Sequence, residues 1–162
     1  MKIIFSIIAL SFVTYLLFPA NDFPSPPPDS VQSSEPGDSE SFLRRAYFTN
    51  FTRQEVINHY QSEFGKYSLN LNYPPEEAQT LIRDQTRSTF LEELTYPLRE
   101  SLFINGFEPK DPKDDIWYKG EHFRQKIIVR LVSSNLYIRG LVSVLVIFSV
   151  ILIYKGYKKL LK

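Results

Sequence analysis

The residues of this chain whose types could do chemistry are two histidines, one aspartate cluster and one dense charged run. His59 stands four residues from Glu55 and four from Glu63, so on a helix the three share a face. Such a stripe could touch a metal, but it does not converge as tetrahedral zinc requires. Glu55 is also claimed by a helix cap, which leaves an exposed, mildly charge-paired helix face as the expectation. His122 sits beside a hairpin turn and reads as exposed. Asp111, Asp114 and Asp115 lie in the stretch EPKDPKDD, which lacks the D-x-[DN]-x-[DN]-G spacing of a calcium loop and reads as a solvated turn.

The run Arg83-Asp84-Gln85-Thr86-Arg87, with Glu92, Glu93, Arg99 and Glu100 beyond it, reads as surface ion pairs worth little. A second reading makes it a fixed charged face for a partner. Asn50-Phe51-Thr52 matches a glycosylation acceptor, but Thr52 is needed as a cap. The sequence carries no nucleophile elbow, phosphate loop, zincin helix or dinucleotide fingerprint. No catalytic, cofactor-binding or metal-ligating residue is assigned, and no cofactor is implied.

Composition narrows the classes further. The total charge is +1, but the stretch 20–135 holds all 18 acidic and 13 of the 19 basic residues, a net charge of −5. An acidic middle between basic ends is a poor match for nucleic acid, whose affinity rests on Lys and Arg neutralising phosphates. The absence of cysteine excludes disulfides, thiolate metal sites and cysteine nucleophiles. With ten Tyr and thirteen Phe, some rings are expected to stay partly exposed, and Tyr-rich surfaces suit protein or glycan contact, while core and membrane-belt usage is the plainer reading.

Two apolar runs stand at the ends. Ile3–Phe18 is sixteen uncharged residues, about 24 Å as a helix against a hydrocarbon core of ~30 Å. A cleaved signal would want small residues at its end, and Phe18-Pro19-Ala20 puts a bulky ring there, so residues 1–18 are read as a retained anchor. Residues 136–154 contain the unbroken run LVSVLVIFSVILI. Its β-branched residues would favour a strand in water, but a lone strand in lipid leaves its backbone groups unpaired, so a transmembrane helix is expected. The tail 155–162, KGYKKLLK, has four lysines, and Lys2 lies at the other end. The positive-inside rule then places both termini in the cytoplasm and residues 19–135 outside a cell membrane that the chain crosses twice.

Between the runs, residues 19–41 hold six of the eleven prolines among Ser, Asp and Glu, which reads as a disordered spacer. Residues 42–135 are expected to fold as a small α+β domain. Phe42–Asn50 reads as a strand. Thr52 with Glu55 is a capping box, Phe51 and Val56 a hydrophobic staple, and Gly65 a stop, which predicts a helix burying Val56, Ile57, Tyr60 and Phe64. Tyr67–Tyr73 reads as extended. Pro74-Pro75-Glu76-Glu77 opens a predicted second helix through Ala78, Leu81, Ile82, Gln85, Phe90, Leu91 and Leu94. Pro97 kinks it, a short helix follows to Ile104, and Asn105-Gly106 stops it with Phe107 folding back. The rest reads as an antiparallel hairpin or meander, with strands at Phe107–Pro109, Ile116–Lys119 and His122–Ser133, and a turn at Lys119-Gly120.

The expected function is a non-catalytic interaction or scaffold domain held at the bilayer, with a protein partner or a second copy of the chain as its ligand. A second reading is a sensor or ligand-binding module acting through the short joint Ser133–Asn135 on the following helix. An envelope enzyme is third.

Overall fold

The computed structural model describes residues 2–38, 40–65, 69–72 and 86–161, which form two compact units. One comprises Met1–Ala20 with Ser133–Lys162 and the other Asn21–Val132.

The first unit is a pair of helices, α1 (Lys2–Leu17) and the chain's last helix, α3 (Leu136–Leu160). Asn135 caps α3, its side-chain oxygen accepting from the N–H groups of Tyr137 and Ile138. At 25 residues and about 37 Å, α3 is long and apolar enough to cross a membrane. The apolar part of α1, Ile3–Leu17, is shorter. Within this unit Arg139 is buried, 3% exposed, and its Nη1 donates to the Phe18 carbonyl at 3.1 Å. An arginine at the last carbonyls of a helix satisfies groups that have no partner within it and complements the negative end of its dipole.

The second unit is an α+β fold on an antiparallel sheet. Its strands are β1 (Val31–Gln32), β2 (Arg44–Thr49), β3 (Leu69–Asn72), β4 (Thr86–Thr95), β5 (Ser101–Pro109) and β8 (Gln125–Val132), in the order β1-β2-β8-β5-β4-β3. Five carry the sheet, and β1 adds two residues at one edge. β6 (Ile116–Tyr118) and β7 (Glu121–Phe123) pair separately as a hairpin. The helix α2 (Arg53–Phe64) starts at the predicted capping box, with the Thr52 and Glu55 side chains each meeting the other's backbone N–H. It buries Val56, Ile57, Tyr60 and Phe64 against Phe90, Leu94, Leu102, Ile104, Ile127, Val129 and Leu131.

The kinked helical segment is corrected from Thr86 onward, because residues 86–95 and 101–109 are strands of one hairpin. Phe90 and Leu94 satisfy a helical spacing and a period of two equally well. The burial of Phe90, Glu92 and Leu94 in alternation, with Thr at 86, 89 and 95, belongs to a strand. Pro97 is the second residue of a turn rather than a kink. Arg99 N–H donates to the Tyr96 carbonyl at 3.0 Å with Leu98 at φ 64°, the pattern of a type II turn. Asn105-Gly106 does not stop a helix, since Gly106 lies mid-strand opposite Phe90 and a Cβ there would stand 2.2 Å from that ring. Phe107 continues β5. The expected helix start at Pro74, with Ala78, Leu81, Ile82 and Gln85, lies outside the described residues.

Residues 21–38 correct the expected disordered spacer. They lie along the folded unit as a strap. Asn21 Nδ2 donates to the Phe64 carbonyl, Phe23 packs at the edge of the core under Arg45, and β1 pairs with β2. Prolines reduce the entropy that such a segment loses on docking, so a Pro-rich composition fits a fixed strap as well as a free spacer.

Candidate interaction surface

Alternation along the strands gives the sheet two faces. One is covered by α2. The other carries Leu91 on β4, Phe103 on β5 and Ile128 on β8, all half-buried, with Glu93 and Arg130 level with Phe103. Toward the β1 edge this second face is capped by two elements. The strap sets Ser33 and Asp38 over it, and the β6–β7 hairpin stacks Tyr118 on Phe48, with ring centroids 4.3 Å apart and Phe123 beside them at 5.9 Å.

The cap is held by a charged knot. Lys126 of β8 contacts Glu35 at 2.6 Å and Asp38 at 2.7 Å, and the Ser33 hydroxyl donates to Asp38 at 2.5 Å. Burial pushes the Asp38 carboxyl up, but the bonds from Lys126 and Ser33 outweigh it and hold the group below its usual range. Burial works against the Lys126 charge too, and its two carboxylate partners more than restore it, leaving the ammonium above its usual range. Ser34 joins strap to hairpin. Its N–H donates to the Tyr118 hydroxyl at 3.0 Å, and its own hydroxyl lies 2.7 Å from the same oxygen. Lys119 at φ 53° and Gly120 at φ 85° make the two-residue turn of the hairpin, the left-handed pair that suits a type I′ connection. The turn leaves Trp117 67% exposed, with the His122 ring edge-on to it at 5.2 Å. A large aromatic held outward on a rigid hairpin is the kind of side chain that anchors protein interfaces.

The residues singled out in the sequence fall elsewhere. Glu55 serves the cap, His59 Nε2 lies 3.0 Å from the Ser25 carbonyl, and Glu63 accepts from the Ser25 hydroxyl. His59 and Glu63 thus receive the strap at Ser25. Asp115 lies 3.5 Å from His122 and Asp111 4.0 Å from Lys113, on either side of a short 3-10 turn at Pro112–Asp114. Among the described residues no group of three or more His, Asp or Glu side chains could hold a metal ion.

The charged run does not form one face. In a strand Glu92 and Glu93 point to opposite sides, and Glu92 is buried under Arg53 of α2, whose Nε lies 3.2 Å from it. Arg99 and Glu100 form a buried pair at 3.1 Å that also takes the Asn21 N–H. Arg87 is exposed, and Arg83, Asp84 and Gln85 lie outside the described residues. Asn50 accepts the Arg124 N–H through its side chain at 2.9 Å, a structural use of that group. In the core, burial pushes the Tyr60 hydroxyl far above its ordinary range, and burial raises Tyr47 against the opposing influence of Arg45. Both stay neutral at physiological pH and are poorly matched to proton transfer there.

Sequence reasoning missed the strap and the outward Trp117. The signal for Trp117 was present in the Tyr118-Lys119-Gly120-Glu121 turn, since alternation in a short hairpin puts Trp117 and Tyr118 on opposite sides. No family model, curated protein or solved structure matches this chain.

Proposed function

We propose that this chain is a two-pass membrane protein presenting a non-catalytic binding domain outside the membrane, as a scaffold or subunit of a membrane assembly. The observation that carries the reading is the uncovered apolar surface of the helical unit. Leu141, Val144, Leu145, Phe148, Leu152 and Ile153 are each more than half exposed along α3, and Ile3, Ile4, Ile7, Ile8 and Leu10 likewise along α1. Apolar surface this continuous is costly in water and matched by lipid.

The bond from Arg139 to the Phe18 carbonyl supports retention of α1, because its removal would strip a buried guanidinium of that acceptor. Lys155, Lys158, Lys159 and Lys162 favour a cytoplasmic tail, and the acidic unit Asn21–Val132 then lies outside. A binding role is favoured because the buried or paired carboxylates Asp38, Glu55, Glu63, Glu92 and Glu100 are committed to holding strap, cap and sheet together. Trp117 and the strip of Leu91, Phe103 and Ile128 are the surfaces on which a protein partner would sit.

A photo-crosslinking residue in place of Trp117, placed in the full chain in intact membranes, tests this. The reading expects one discrete adduct of reproducible mass, a partner or a second copy, that is absent when the crosslinker replaces Gln54 on the outer face of α2. Equal, diffuse adducts at both positions would count against a defined interface. An epitope placed ahead of Lys2 should remain on the membrane-bound chain, and its loss would show α1 to be cleaved.

A further inference from the structure

The folded unit begins and ends at one end of its sheet, along the edge formed by strand termini rather than by an outer strand. Asn21 N–H donates to Glu100 at 3.1 Å, and Val132 pairs with Ser101, the very next residue. The chain therefore enters and leaves this unit beside a single turn, Tyr96–Glu100. Leu131 N–H donates to the Leu43 carbonyl at 2.8 Å, so the β2–β8 register carries one step further and sets Phe42 level with Val132. Three apolar side chains along this edge face solvent: Phe42 is 82% exposed, Leu98 59% and Val132 41%. Each belongs to a different segment, and all three sit at one end of the sheet. Leu98 holds φ 64°, a conformation better suited to Gly or Asn, so an exposed leucine there is unfavourable on two counts. Arg130 is also exposed, two pairing steps in from Val132 and on the same face of β8.

We infer that this edge is a lipid-contacting rim, with Phe42, Leu98 and Val132 entering the boundary between headgroups and acyl chains and Arg130 lying at the level of the phosphates. The inference rests on the reading of Leu136–Leu160 as a membrane-spanning helix. Chain length argues for lipid as the occupant. Four residue steps separate Val132 from Leu136, which a fully extended chain covers in about 14 Å at most. Neighbouring strands are only ~4.8 Å apart, so the segments flanking Val132 share this short tether. Apolar side chains beside a basic one suit the interfacial zone, where rings and aliphatic groups bury while guanidinium groups meet phosphate. A protein partner would have no comparable reason to find these three side chains gathered where the tether leaves.

The chain has no cysteine, so single-cysteine variants can be labelled without background. Leu98→Cys, Glu121→Cys and Leu145→Cys, each in the full chain, would carry an environment-sensitive fluorophore in phosphatidylcholine vesicles containing spin-labelled lipid. Glu121 is the first residue of β7, beside the hairpin turn and away from the rim, and Leu145 is mid-α3. The rim predicts loss of fluorescence at Leu98→Cys and Leu145→Cys and none at Glu121→Cys. Quenching at Leu145→Cys without Leu98→Cys would overturn the rim and leave the spanning helix standing. Equal quenching at Leu98→Cys and Glu121→Cys would overturn it as well, because the contact would then not be confined to this edge. An unquenched Leu145→Cys would remove the spanning helix and the rim together.

Discussion

Lys126 is the side chain on which strap and sheet most depend, because it answers two carboxylates at once and one of them, Asp38, is buried. Lys126→Met would leave Asp38 without its cation, a loss of about 1–3 kcal/mol for an unmatched buried group. Hydrogen exchange at the Ser33 amide, which donates to Ala46 at 2.9 Å, should accelerate by roughly tenfold or more if the strap opens. The same knot sets a pH window. The Asp38 carboxyl is held below its ordinary 3.8, so its contribution is complete above that value and is lost as pH falls through the depressed one. The Lys126 ammonium is held above its ordinary 10.5, so its contribution is complete below that value and is lost as pH rises through the elevated one. Strap protection should be flat between these limits in the native chain, and Lys126→Met should flatten the acid limb. At the β4–β5 turn, Leu98→Gly would relieve the left-handed strain at the cost of a floppier unfolded chain. Measured in detergent, away from a bilayer, the net change should be small and stabilising, about 0.5 kcal/mol by denaturant midpoint.

At the scale of elements, α2 was fully legible because its signals are local. Thr52, Glu55, Phe51, Val56 and Gly65 each act within a turn of the helix end they define. Thr52→Ala should cost about 1 kcal/mol, read as a lowered thermal midpoint. The β4–β5 hairpin was illegible for a corresponding reason. Phe90 and Leu94 fit two periods, and what decides between them is non-local: the Gly106 gap that receives the Phe90 ring and the Arg53 side chain that neutralises buried Glu92. Gly106→Ala should therefore cost about 1–3 kcal/mol, typical of overpacking in a filled core, while the same change at exposed Gly37 should be nearly silent. The strap was misread because composition describes what a segment does alone. Asn21, Ser25 and Ser33 find their partners on α2, the β4–β5 turn and β2, far along the chain. Of the candidate surface, the hairpin turn could be located from Lys119-Gly120, whereas the strip of Leu91, Phe103 and Ile128 exists only once β4, β5 and β8 are in register.

At the scale of the whole molecule, the acidic folded unit and the lysine-rich end of α3 belong, on the proposed reading, to opposite sides of a bilayer. Charge asymmetry and apolar length argue for this independently. The most direct test uses the cysteine-free background in intact cells with a membrane-impermeant maleimide. Glu121→Cys in the folded unit should label without lysis, and Leu161→Cys in the tail should label only after the membrane is opened. Labelling of Leu161→Cys in intact cells, or protection of Glu121→Cys, would contradict the two-pass arrangement and with it the placement of the binding domain outside.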